Sequence, residues 1–169
     1  MVSEDSNNKL FPVSWDQFHR DSKALAWRLA DKGDWSGIVA VTRGGLVPSA
    51  IIARELNIRL IETICVSSYS PHHKRGDIKI LKKINNSLFD NETSEGKTIL
   101  CIDDLVDTGT TMSVVKEIIP NAHIATVYAK PEGLSNVDTY ITEVSQDTWI
   151  YFPWDTGLQF VPPINPSGV

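Results

Sequence analysis

The chain has 169 residues, a net charge of −5 and two cysteines. That suits one domain of roughly 100–200 residues, large enough to bury about 70% of its unfolded surface. Acids outnumber Lys and Arg, which are scattered among them. This excludes a nucleic-acid-binding surface, which needs a basic stripe.

The N-terminal MVSEDSNNK is polar and reads as no signal peptide, and residues 2–9 are expected to form a mobile tail. No apolar run approaches the ~20 residues of a membrane span. Ser14 and Gln17 make a capping-box pattern, and Trp15, Phe18, Leu25 and Leu29 recur at helical spacing, which predicts a helix over 14–32 with a buried face. Gly33 suits its C-terminal cap. Trp15 and Trp27 read as core or subunit contact.

GIVAVT (37–42) is short, apolar and β-branched, the pattern of a parallel strand buried on both faces. Arg43-Gly44-Gly45 follows, then a helix over 46–56 with Pro48 in its first turn. A second strand is predicted over 63–67. SPHHKRGD (70–77) reads as a mobile loop before a short strand over 78–81. Its His73-Lys74-Arg75, with Lys79, Lys82 and Lys83, leaves a small anionic ligand open. Residues 85–96 are a polar connector. A third strand over 97–103, a helix over 110–119 stopped by Pro120, and a fourth strand over 124–129 complete an α/β order with a parallel sheet. Beyond Val144 the chain is rich in aromatics and prolines and periodicity does not order it. Residues 162–169 form a Pro-rich end. Cys65 and Cys101 sit singly in apolar runs, with no CxxC pair, which excludes zinc and dithiol readings and fits reduced thiols in a cytosolic protein.

The most informative stretch is CIDDLVDTGTTM (101–112). Ligands of parallel α/β sheets bind beyond the carboxyl ends of strands. A Gly-containing turn entering a helix offers free N–H groups and a positive dipole end to a phosphate. Thr108, Thr110 and Thr111 add hydroxyls. Carboxylates suit vicinal hydroxyls, as on ribose, or Mg2+. Together these point to a ribose phosphate. Three other readings compete. A solvated loop with chance acids requires strand, acids and TGTT turn to coincide by accident. An aspartic-protease turn, where two aspartates share a proton, conflicts with the α/β order. A Walker-type nucleotide site lacks its GxxxxGK[ST].

The run Ile102-Asp103-Asp104-Leu105-Val106-Asp107-Thr108-Gly109-Thr110-Thr111 resembles the phosphoribosyl-diphosphate (PRPP) signature of the type I phosphoribosyltransferases. AVTRGGLVP (40–48), Ser67-Ser68-Tyr69, Ala129-Lys130-Pro131, QDTWI (146–150) and Pro153-Trp154-Asp155 extend the resemblance over 13–164, toward the bacterial xanthine-guanine branch. The tail is longer than in that branch, and Thr42 and Thr110 stand where it has Ser and Gly.

The resemblance implies one domain with a central, mostly parallel sheet flanked by helices. A small hood over the base site is built from C-terminal (about 130–165) and N-terminal segments. It implies Mg2+-dependent transfer of phosphoribose from PRPP to N9 of guanine or xanthine, and more weakly hypoxanthine, giving a nucleoside monophosphate and pyrophosphate in purine salvage. Asp103 and Asp104 would hold the ribose hydroxyls, with Asp104 on the metal. Leu105 and Val106 would lead into the phosphate turn of Asp107, Thr108, Gly109, Thr110 and Thr111. Asp107 would face purine N7 as general base. Arg43 and Gly44 would form the pyrophosphate loop, which carries a non-proline cis peptide in this fold, and Arg75 would reach PRPP from the mobile loop as it closes. Lys130 would donate to purine O6, Trp149 would stack on the base, and main-chain carbonyls at Trp149 and Ile150 would read the 2-substituent. By the residues alone, Arg43 reads equally as a loop arginine, Lys130 as an exposed lysine and Trp149 as a core tryptophan. A cytoplasmic homotetramer is implied, with peripheral membrane contact left open. The alternatives are a hypoxanthine-guanine enzyme or a non-catalytic PRPP-binding regulator.

Overall fold

The computed structural model describes residues 9–68, 78–85 and 98–155. In chain order the elements are β1 (Lys9–Pro12), α1 (Trp15–Ala30), β2 (Trp35–Thr42), α2 (Leu46–Glu55), β3 (Ile61–Ser68), β4 (Ile78–Lys82), β5 (Thr98–Val106), α3 (Thr110–Ile118), β6 (His123–Ala129), a 3-10 turn (Pro131–Asn136), β7 (Thr139–Glu143) and β8 (Thr148–Tyr151). Six strands form one sheet in the order β4-β3-β2-β5-β6-β7. All neighbours run parallel except β3 and β4. The expected strand-helix order is therefore realised as a mostly parallel sheet.

Alternate residues of the central strands feed opposite faces, as the two-residue side-chain period requires. Ile38, Leu100 and Ile102 pack with Phe18, Leu25 and Leu29 of α1 and Ile52 of α2. Val39, Val41 and Cys101 pack with Met112 and Val115 of α3. The sheet is thus covered on both faces, which is why β2 reads as a continuous apolar run.

Ser14 caps α1 as the pattern predicts, its hydroxyl accepting the Gln17 N–H at 3.1 Å. Gly33 does not cap the other end. The last turn closes through the Lys32 N–H on the Leu29 carbonyl at 3.1 Å, and Gly33 has no left-handed backbone. The expected buried face holds for Phe18, Leu25 and Leu29 but not for Trp15, which is 55% exposed. Trp27, at 75% exposed, is no core residue either. Cys65 is only partly buried, whereas Cys101 is fully buried.

Three strands were not predicted. β7 extends the sheet beyond β6. β1, which starts inside the expected tail, pairs in parallel with β8 from Lys9↔Thr148 to Pro12↔Tyr151. This second small sheet is fixed to α1 by aromatic contacts. Phe18 meets Phe152 and Trp154 edge-on at 5.8 and 4.9 Å, and those two rings stack at 4.8 Å. The 70–77 loop, most of the connector and the Pro-rich end lie outside the described residues.

Candidate active site

β5 continues to Val106, so Asp103 and Asp104 lie within the strand and not at its end. Its two edges part company there. Pairing with β2 stops at Ala40↔Ile102, while pairing with β6 continues to Val106↔Ala129. The edge released from β2 opens the crevice in which the site is built, the position expected for a ligand of a parallel sheet.

Arg43-Gly44-Gly45 turns across the mouth of this crevice. The Thr42–Arg43 peptide is cis. The turn closes through the Gly45 N–H to the Val41 carbonyl at 2.8 Å and the Leu46 N–H to the Arg43 carbonyl at 3.1 Å. A Cβ on Gly44 would fall 2.5 Å from Cγ of Asp104, so glycine lets the loop backbone lie directly on that carboxyl group. On the far side, Gly109 stands at φ 81° as the N-cap of α3, a conformation that favours glycine. The first helical bond runs from the Ser113 N–H to the Gly109 carbonyl at 2.9 Å, which leaves the earlier N–H groups of α3 without an intrahelical partner. Thr108 Oγ1 and Thr110 Oγ1 lie 2.8 Å apart beside it.

Asp103 is buried and accepts the Asp104 N–H at 2.9 Å. Burial pushes its pKa well up, and the neighbouring Asp104 charge pushes it further. Asp104 is raised to about 6, mainly by burial and in lesser part by the charge of Asp155, against hydrogen bonds that lower it. Two desolvated carboxylates side by side are a poor resting place for two charges and a good one for a cation. Among the described residues no group of three or more acids, histidines or cysteines could hold a metal by itself. The chemistry of the acid pair fits Mg2+, which binds through one or two carboxylates and takes its other ligands from phosphates and water.

The linkage has a definite sign. Both folded values lie above the unfolded one, so the acids bind protons more tightly folded than unfolded. For Asp104 the resulting stability is lost as pH rises from about 4 through 6, and Asp103 acts in the same direction. Asp104→Asn is expected to raise the thermal midpoint of the ligand-free protein by a few degrees at pH 7.5 and to leave it unchanged near pH 3.5, with calorimetry as the check. A lower midpoint at pH 7.5 would refute the assignment.

Asp107 has a half-exposed side chain. Its Oδ1 lies 3.2 Å from Nζ of Lys130, whose own side chain is only 7% exposed. Gln146 Nε2 donates to the same oxygen at 2.8 Å. The reading of Lys130 as an exposed lysine is therefore wrong. Its backbone N–H is held by the Val106 carbonyl at 2.9 Å, which aims the side chain inward from the end of β6. Trp149 is 55% exposed and Ile150 buried, so Trp149 is no core residue.

Arg43, Gly44, Asp103, Asp104, Leu105, Asp107, Thr111, Lys130, Trp149 and Ile150 line one cavity of about 670 Å3. Val106, Thr108, Gly109 and Thr110 join it through a neighbouring hollow of about 110 Å3, which shares Asp103, Leu105, Asp107 and Thr111. Every expected site residue is thus brought together except Arg75, which lies outside the described residues. Phe152, Trp154 and Asp155 also line the cavity. Trp154 and Asp155 belong to the resemblance but carry no expected role, and Phe152 has no signal in the sequence, since nothing in their spacing marks them.

A purine phosphoribosyltransferase from Pyrococcus horikoshii superposes with a TM-score of 0.71 at 27% identity, over 92% of this chain and 99% of that one. A xanthine-guanine-hypoxanthine phosphoribosyltransferase from Helicobacter pylori gives 0.68 at 22% identity, over 86% and 94%. A hypoxanthine phosphoribosyltransferase from Staphylococcus aureus gives 0.59 at 21% identity, over 78% and 75%. The last two show a shared fold only. A family model described as the phosphoribosyl transferase domain matches residues 14–161. A mostly parallel sheet, an acid pair on its central strand and a match over most of the chain make this protein a member of the phosphoribosyl transferase domain family, with the type I fold.

Proposed function

We propose that the protein is a purine phosphoribosyltransferase, a single domain that transfers phosphoribose from PRPP to N9 of guanine or xanthine, and more weakly hypoxanthine. One observation carries the reading. The acid pair and the α3 turn, suited to ribose phosphate, share a cavity with Lys130 and the exposed Trp149, suited to a planar base.

The turn from Asp107 to Thr111 binds the 5′-phosphate with main-chain N–H groups and threonine hydroxyls at the positive end of α3. Asp103 and Asp104 accept from the ribose hydroxyls. Arg43 and the Gly44 backbone hold the pyrophosphate. Asp104, with Asp103 beside it, would hold Mg2+, which when bound neutralises charge on the departing pyrophosphate. Trp149 covers one face of the base and Lys130 donates to O6. Main-chain groups on the edge of β8 not paired with β1 read the 2-substituent. The N9–C1 bond forms as the C1–O bond to pyrophosphate breaks. The proton lost from the base goes to Asp107.

A homotetrameric cytoplasmic enzyme of purine salvage fits this reading, and no described helix is long and apolar enough to cross a membrane. The hypoxanthine-guanine type is the nearest alternative, since base preference rests on a few hydrogen bonds of about 1 kcal/mol each.

The test is a spectrophotometric assay with PRPP and Mg2+, supplying guanine, xanthine, hypoxanthine and adenine in turn. Guanine and xanthine are expected to turn over fastest and adenine not at all. Hypoxanthine outpacing xanthine would assign the hypoxanthine-guanine type. PRPP binding with no base consumed would replace the enzyme with a regulator.

A further inference from the structure

We propose that Gln146 is a positioning residue that sets the orientation of the Asp107 carboxylate, an inference that rests on the reading of Asp107 as general base. Gln146 lies on the connection between β7 and β8, remote in sequence from Asp107. Its amide bridges two groups. Oε1 accepts the backbone N–H of Glu132 at 3.1 Å, and Nε2 donates to Asp107 Oδ1 at 2.8 Å. The amide orientation follows from its partners, because a main-chain N–H can only donate and a carboxylate can only accept.

The anchor at Glu132 belongs to a rigid base. The 3-10 turn Pro131–Asn136 lies under the main chain of Asp107 so closely that a Cβ on Gly133 would sit 2.8 Å from the Asp107 carbonyl oxygen. The same turn therefore holds the Asp107 backbone by contact and its side chain through Gln146. Lys130 and Gln146 both engage Oδ1. Among the described residues no hydrogen-bond donor engages Oδ2, which remains for the base. The hydrogen bond from Gln146 and the ion pair with Lys130 fall on the same oxygen and together fix which oxygen faces the cavity. Because the bridge starts three residues before Trp149, it also ties the general base to the strand that covers the purine.

The test is steady-state kinetics of the full chain with PRPP, Mg2+ and the best purine acceptor. Gln146→Ala is expected to lower kcat about tenfold, since small misplacements of reacting groups carry large rate penalties, with KM for PRPP changed less than about twofold. Gln146→Met, which keeps the shape and removes both bonds, is expected to match it. In an Asp107→Asn background, Gln146→Ala is expected to have no further effect, the signature of a residue acting through its neighbour. Equal losses in both backgrounds would overturn the proposal in favour of a role in hood packing, as would a kcat unchanged in both single variants. If the wild-type chain consumes no purine, the proposed function itself fails; wild-type turnover with unaffected Gln146 variants sinks this inference alone.

Discussion

Replacing Asp107 with Asn is expected to lower kcat for purine phosphoribosylation about 10²–10⁴-fold, the usual worth of a general acid or base, while PRPP affinity changes less than about threefold. The substitution keeps the size of the side chain and an oxygen that can accept from Lys130 and Gln146. It removes the second carboxylate oxygen and the basicity. PRPP affinity should survive because the acid pair, the Arg43 loop and the start of α3 are untouched. Kinetics with the preferred base, beside a calorimetric titration with PRPP, separate the two effects. If PRPP affinity falls as far as kcat, Asp107 belongs to the phosphate site and not to proton transfer.

Gly45→Ala is expected to cost about 3 kcal/mol or more of stability. For a chain of this size that lowers the thermal midpoint on the order of 6–12 °C. The conformation is not the obstacle, since Gly45 sits at φ −70°, ψ −10°, where any residue is comfortable. Space is the obstacle. A Cβ would lie 2.7 and 2.8 Å from the carbonyl oxygen and nitrogen of Val41 and closer still to the Ile102 carbonyl oxygen. All three atoms are main chain of the central strands β2 and β5, and none can rotate away. Gly44→Ala is the informative contrast. Its Cβ would meet the carboxyl group of Asp104, the end of a side chain that can turn. Stability should change little and PRPP binding should weaken markedly. Thermal unfolding of both variants by circular dichroism checks the pair, and equal midpoints would remove the steric argument.

These contrasts also show what the sequence could disclose. The central strands, the helices between them and the acid-to-threonine turn were legible because each carries a local signal: β-branched apolar runs, helical spacing, a glycine before a helix. The register that releases β5 from β2 at Ile102 is set by pairing, so the strand was expected to end at Asp103, with Asp104 beyond it, when it runs on to Val106. β1 and β8 hold four residues each, too few for a period. Each pairs with the other across the length of the chain, so neither was visible alone. Lys130 shows the same limit from another side. Its burial depends on Asp107, 23 positions away, and its local surroundings suggest a solvated lysine. Gln146 carries no local mark at all; only its two partners give it meaning.

The pairing of β1 with β8 has a consequence for how the molecule assembles. The main sheet grows largely between strands near in the chain, whereas this small sheet joins Lys9 to Thr148. Closing so long a loop is entropically demanding and is repaid by only two four-residue strands and the aromatic rings beneath them, so it is expected to follow the sheet in folding. During synthesis the cavity wall that carries Trp149 and Ile150 cannot pair with β1 until β8 has emerged. In the finished protein the two-stranded sheet rests on few main-chain bonds, so amide exchange is expected to be faster in β1 and β8 than in β2 and β5 at the centre of the six-stranded sheet.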